Sequence, residues 1–459
     1  MIFNLNNNHM KKLSAIVMIF LLSIVNLYAQ QWVPFGTLPG SGITALKTNQ
    51  NGDLFVATAS YNYPSGQNAG VYRSLLGSGA LIDVTPGGAS AFNARAIETE
   101  GSTLVWASCW QNPSLNQEAL YRSTDNGNNW TRTYQIGTTN NIFSIKADPD
   151  NDNVYIGARD GVHRSSNTGL GFSLSNSGME SGSWTYDIEK ANGMLFAATA
   201  KGLYRSQNLG VSWSEVTGIP QSDTPKSISI IPTANGDRIV TGTNDGNIYI
   251  SDETLSQFEL IFGFENSDII TMLVLIGAQP TDYHFILSAF PKNLDNIGNG
   301  LYYSRSSGNS FTDFGQGLPS PYRISAIGGS IQGNNITAFA GSFNNTQNGA
   351  VVYKKNYTVG INTISSEVPG SYALYQNYPN PFNPSTNIKF QVVRSSHIEI
   401  AVYNSSGMEI SKLVNESLSA GVYETQFDGS SIPSGVYFVR MLADGIADAS
   451  LSKKMILTK

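Results

Sequence analysis

Two carboxylates, Asp160 and Asp245, are the side chains most open to a catalytic reading. A glycosidase needs such a pair across a cleft, one to protonate the leaving oxygen and one to attack or to activate water. Each also precedes a glycine, in Arg159-Asp160-Gly161 and Asn244-Asp245-Gly246. That is equally the chemistry of a tight turn, and it is the simpler expectation. Aromatics and cations accompany them: Arg95, Trp110, Arg159, Trp184, Tyr186, Tyr322 and Arg323, with Lys226, Glu118, Asp268, Tyr61, Tyr63 and Asp295. Flat rings beside charged groups suit a sugar chain or a peptide. No metal or cofactor is expected. His9, His163, His284 and His397 show no ligand spacing, and the single Cys109 reads as a small buried residue without a His partner. Asp148-Pro149-Asp150-Asn151-Asp152-Asn153 has the acidity of a calcium loop but lacks its glycine and distal glutamate, so a hairpin is expected.

The elements that would carry these residues repeat. Gly70-Val71-Tyr72-Arg73-Ser74 returns as Ala119-Leu120-Tyr121-Arg122-Ser123, Gly161-Val162-His163-Arg164-Ser165 and Gly202-Leu203-Tyr204-Arg205-Ser206. Weaker copies end at Ser251, Ser304 and Lys355. Seven units of about 40–50 residues have the period of four-stranded propeller blades. Within each unit, two apolar runs precede the Tyr-Arg-Ser run, and a fourth begins at an aromatic. The seventh unit stops after its third strand. Trp32-Val33-Pro34-Phe35-Gly36-Thr37-Leu38-Pro39 matches the fourth strands elsewhere, as in Trp213–Pro220, so residues 31–39 are expected to close the ring. In such a ring the strand-four-to-one and strand-two-to-three loops share one face, and the candidate residues fall on or near them.

The turn after the third strand has its own motif. Ser123, Asp125, Gly127 and Trp130 fit Ser-x-Asp-x-Gly-x-x-Trp; Ser206, Asn208, Gly210 and Trp213 form a near copy. This resembles the Asp-box, or bacterial neuraminidase repeat, of sialidases, sortilin-like receptors and xyloglucanase-type glycosidases. The resemblance implies a β-propeller in which these residues build turns on the face opposite the usual binding site. A sialidase would also need an arginine triad. Arg73, Arg122, Arg164, Arg205 and Arg305 lie at or beside the repeat register and read as scaffold, which leaves Arg95, Arg159 and Arg323. The Arg-Ile-Pro type signature of sialidases is absent.

The two ends carry addresses. Lys11 and Lys12 precede the apolar run Leu13–Val25, and Leu27-Tyr28-Ala29 supplies a small residue for cleavage, so residues 1–29 are expected to be a signal peptide. No other segment is long and apolar enough to span a bilayer as a helix, so no transmembrane segment is expected in the mature protein. Residues 356–371 read as a linker, and 372–459 as a small Ig-like β-sandwich of alternating strands and Gly/Ser turns. Tyr375-Gln376-Asn377-Tyr378-Pro379-Asn380-Pro381-Phe382-Asn383-Pro384, Pro433-Ser434-Gly435-Val436-Tyr437 and Lys453-Lys454-Met455-Ile456-Leu457 resemble the type A C-terminal sorting domain of type IX secretion. The resemblance implies that the secretion machinery is a partner, and that the protein crosses the periplasm to be released or attached to the outer surface.

Composition agrees with an exported all-β protein. Only 13% of residues are charged, 45 are glycine, and the net charge of −6 argues against a basic nucleic-acid surface. The expected function is non-catalytic binding of polysaccharide or protein partners, through residues 30–355 as a seven-bladed β-propeller. The alternative is a glycoside hydrolase, sialidase- or xyloglucanase-like, acting on extracellular polysaccharide.

Overall fold

A computed structural model describes residues 31–60, 69–77, 79–87, 93–112, 117–137, 141–233, 235–276, 283–292, 300–305, 311–319, 323–332, 335–343, 349–358, 361–365, 369–383, 385–429, 432–444 and 446–458. Residues 1–29, read as a signal peptide, and Tyr61, Tyr63, Asp295 and Tyr322 lie outside them. The chain separates into two units, with the boundary between Tyr357 and Thr358.

The first unit is a seven-bladed propeller. Its innermost strands are Gly42–Thr48, Ala94–Glu100, Ile142–Asp148, Thr185–Ala191, Pro225–Ile231, Ser267–Ile276 and Arg323–Gln332, and each packs against the next around the ring. Every blade is an antiparallel sheet of four strands. The second strands are the most apolar because blades cover both their faces: Leu54–Ala59 and Asn153–Ala158 are buried at every residue. Several outermost strands shrink to two residues, such as Ser173–Leu174 and Ser214–Glu215, and so expose little edge.

The fourth strand of blade 7 comes from the other end of the chain. Val33–Leu38 runs antiparallel to Ala350–Thr358, from Val33 opposite Lys354 to Leu38 opposite Ala350. Gly42 also pairs with Phe343, joining blade 1 to blade 7. Trp32 anchors this arrangement. Its side chain is buried, its Nε1 donates to the Phe314 carbonyl at 2.7 Å, and its ring meets Phe314 edge-on with centroids 5.6 Å apart.

The repeated turn residues lock neighbouring blades. Ser123 Oγ donates to Asp125 Oδ1 at 2.8 Å, and Gly127 N–H donates to Ser123 Oγ at 2.8 Å. Ser206, Asn208 and Gly210 repeat both bonds at 2.9 Å. Trp130 Nε1 then reaches the Val84 carbonyl of blade 1, and Trp213 Nε1 the Ser175 carbonyl of blade 3. In the other direction, the Arg73 guanidinium donates to the Asn126 carbonyl and to Asn128 Oδ1, while Arg205 reaches the Leu255 carbonyl. Tyr-Arg-Ser therefore recurs because its arginine can cap the next blade's turn. Gly210 sits at φ +79°, and a Cβ there would lie 2.9 Å from Tyr155, so glycine meets both demands.

The second unit is a sandwich of two four-stranded sheets. One contains Ser396–Asn404, Glu409–Leu418, Gly435–Ala443 and Ile446–Leu457; the other Ile361–Ser365, Ala373–Leu374, Ser385–Val392 and Gly421–Asp428. Alternate residues of Gly435–Ala443 turn inward, and Phe382, Phe390, Val439, Met441, Met455 and Leu457 fill the core. Tyr423 and Tyr437 each donate to a carbonyl four residues back, at Ser419 and Pro433, which explains the recurring Gly-Val-Tyr. Part of the segment read as a linker is a strand here: Ile361–Ser365 pairs with Gly421–Asp428. Its partner lies some 60 residues downstream, beyond the reach of local pattern.

Candidate functional site

The site is built on a bulge that recurs at one register of the innermost strands. Thr44, Arg95, Phe143, Tyr186, Lys226, Ile270 and Ser325 fall at these register shifts, next to Ile43, Ala94, Ile142, Thr185, Pro225, Ile269 and Ile324. A bulge leaves one residue out of the ladder and re-aims its side chain. At the same ends of the blades lie the strand-two-to-three turns, so bulge residues and turn residues share one axial face. The Ser-x-Asp-x-Gly turns are at the opposite ends.

Blades 3 to 5 join five side chains into a row. The Arg159 guanidinium lies over the Trp184 ring, 4.7 Å from its centroid. Trp184 stacks on Phe143, with centroids 6.4 Å apart and planes at 22°. Phe143 meets Tyr186 at 5.7 Å, and Lys226 Nζ lies 3.5 Å from the Tyr186 centroid. Trp184 is 38% exposed, high for the largest side chain of the row. Four of the five were candidates from the sequence. Phe143 was not, although its place beside Ile142 in a strand of otherwise alternating pattern was the available signal.

Other candidates group separately. Arg95 lies over Trp110 at 5.0 Å, and Trp110 Nε1 donates to Glu118 Oε2 at 2.9 Å. Glu118 is fully buried and also accepts the Ile142 N–H at 2.8 Å, tying blade 2 to blade 3. Burial pushes its carboxyl upward, against the opposing pull of Arg95. Arg323, on blade 7, lies over Phe290 at 5.5 Å.

Each candidate catalytic carboxylate has a local partner. Asp160 Oδ1 meets His163 Nε2 at 2.8 Å, and His163 Nδ1 meets Tyr134 Oη at 3.1 Å. Asp245 meets Lys292, which also lies 3.9 Å from Asp268. The hydrogen bond from Lys292 holds the Asp245 carboxyl below its ordinary range, the opposite of what a general acid requires. Asp148 and Asp150 both bind Lys190, at 2.6 and 2.7 Å, at the hairpin between the first two strands of blade 3.

Three residues beyond the bulge, the strands of blades 1 to 4 carry alternating charges that local sequence spacing does not reveal. Lys47 lies 3.1 Å from Glu98, Glu98 4.0 Å from Lys146, and Lys146 2.5 Å from Glu189. Asp187, beside this ladder, accepts the N–H groups of Ile188 at 2.9 Å and Ile228 at 2.8 Å. Burial, reinforced by the Glu189 charge, pushes its carboxyl up to about 7. A carboxyl raised on folding binds more protons in the native state, so its contribution to stability is present at low pH and lost as pH rises through about 7. The melting temperature should therefore fall between pH 5 and pH 8 by about 2–4 °C more in the parent than in Asp187→Asn. Parallel curves for the two proteins would contradict this assignment; Glu189, Glu98, Lys47 and Lys146 are unchanged in the comparison.

Fold and tail together define the class: an exported seven-bladed β-propeller with a type IX secretion tail. Residues 376–458 match the family model of the secretion system C-terminal sorting domain, which marks the protein for secretion or the cell surface. Among the described residues no helix is long and apolar enough to cross a membrane. Comparison with curated proteins gives no match. Similar solved structures include YCF48 bound to D1 peptide, at 14% identity and TM-score 0.48, covering 71% of this chain and 96% of that one. A GH74 xyloglucanase from Xanthomonas campestris is 14% identical with TM-score 0.47, over 78% of this chain and 59% of that one. The extracellular domain of a protein described as a one component system, from B. thetaiotaomicron, is 12% identical with TM-score 0.47, over 94% and 59%. The chain thus covers less than two thirds of the last two.

Proposed function

We propose that the exported propeller is a non-catalytic binding protein, and that its axial face holds an extracellular polysaccharide. The observation that carries this reading is the row from Arg159 through Trp184, Phe143 and Tyr186 to Lys226. Aromatic faces suit the C–H faces of sugar rings, and Trp184 is the most exposed ring of the row. The hydrogen bond between Asp160 and His163 and the ion pair between Asp245 and Lys292 favour binding over hydrolysis. A polysaccharide panel tests the reading. The mature protein should retain at least one polymer without shortening it, and Trp184→Ala should weaken retention about ten-fold or more, the scale of one hot-spot ring. Turnover abolished by Asp160→Asn or Asp245→Asn would overturn it in favour of a glycosidase.

A further inference from the structure

We infer that the ligand of the axial face is an acidic polysaccharide, one whose sugar rings carry carboxylates. This rests on the binding reading above and adds the ligand's charge.

The inference comes from where the cations are and what holds them. Lys47, Lys146 and Lys190 each lie against a carboxylate, as do Lys201 beside Glu180 and Lys292 beside Asp245. Arg159, Lys226 and Arg323 differ. Among the described residues no carboxylate lies within ion-pair distance of them, and each rests instead on an aromatic ring. Stacking fixes a cation's position while leaving its N–H donors free for a ligand. Arg73, Arg205 and Lys354 also lack a carboxylate partner among the described residues, but each donates to a backbone carbonyl.

The repeating unit is a ring with a cation against it. It occurs at Arg159 with Trp184, Lys226 with Tyr186, Arg323 with Phe290 and Arg95 with Trp110. The matching ligand offers apolar faces and anionic groups in regular alternation along a chain. A uronate polymer does so at every sugar. A neutral glucan would use the rings and leave the cations unmatched. An acidic peptide has the charge but no regular succession of flat apolar faces.

Affinity electrophoresis of the mature chain would use three probes: polygalacturonate, the same polymer with its carboxyls reduced to alcohols, and polyglutamate. Polygalacturonate should retard the protein, the reduced polymer should do so at least about ten-fold less, and added salt should weaken the retardation. Arg159→Gln with Lys226→Gln should lose about as much as carboxyl reduction does, at an unchanged melting temperature. Equal retardation by the reduced polymer, abolished by Trp184→Ala, would overturn the charge inference and leave polysaccharide binding intact. Retardation by polyglutamate alone would overturn it in favour of a peptide. No retardation by any acidic or neutral polysaccharide would remove both readings.

Discussion

Deleting residues 31–39 is expected to destabilise the propeller far more than trimming an ordinary chain end. The segment supplies the whole outer strand of blade 7, in register with Ala350–Thr358. Without it that strand presents unpaired N–H and C=O groups, and aggregation should follow from the open edge. Trp32 concentrates the effect in one side chain, because it is 2% exposed and its N–H is bonded across a sequence gap of 282 residues. Trp32→Ala should cost about 3–5 kcal/mol, the usual range for removing a buried aromatic. In a unit of this size that is a fall of roughly 4–7 °C in the propeller transition. Trp32→Phe should retain most of the packing and lose chiefly the bond to the Phe314 carbonyl, about 1 kcal/mol. Calorimetry of the mature chain checks the series. A propeller transition unchanged in Trp32→Ala would mean that the ring does not depend on this strand.

How much of this was legible in the sequence depended on whether the informative residues were near one another. The Tyr-Arg-Ser runs and the Ser-x-Asp-x-Gly turns repeat locally, and the seven-bladed reading follows from them. The charge ladder was not legible. Glu98 and Lys146 lie on different blades, and only the ring brings equivalent strand positions together. Phe143 was missed for another reason. Reading a strand by alternation assumes an unbroken ladder, and the bulge at this position shifts the parity by one. Ile361–Ser365 fell within a stretch containing Gly360, Pro369 and Gly370, whose composition reads as a connection until its distant partner is known. The row on blades 3 to 5 was half legible. Its charged and aromatic types stood out, but which of them meet is decided by blade order, and the same reasoning offered Arg323 on equal terms although it stacks on blade 6.

Removing only the last seven residues, 453–459, should be enough to stop export. Those residues complete the final strand, where Lys453 to Leu457 lie opposite Val439 to Gly435. They also supply Met455 and Leu457 to the core, at 0% and 1% exposure. The Phe382 N–H donates to the Ile456 carbonyl, and Asn380 Oδ1 accepts the Ile456 N–H, so the Asn380–Phe382 segment loses its anchor at the same time. Two buried side chains of this kind are worth about 2–5 kcal/mol each, a large share of the 5–15 kcal/mol that holds an ordinary domain together. The sorting domain should unfold and the protein should remain in the periplasm, where cell fractionation would find nearly all of it. Met455→Asp should do the same by placing a charge in the core, whereas Lys454→Gln, on an exposed side chain of the same strand, should be exported normally. Full deletion should remove residues 359–459 and not start at 372, where the sequence reading begins the sandwich, because the later cut leaves Ile361–Ser365 without Gly421–Asp428 and adds an unpaired strand to the propeller product. If the chain lacking 453–459 reached the surface at the parent's level, recognition would not require the folded sandwich, and the machinery would be reading a linear segment upstream of the final strand.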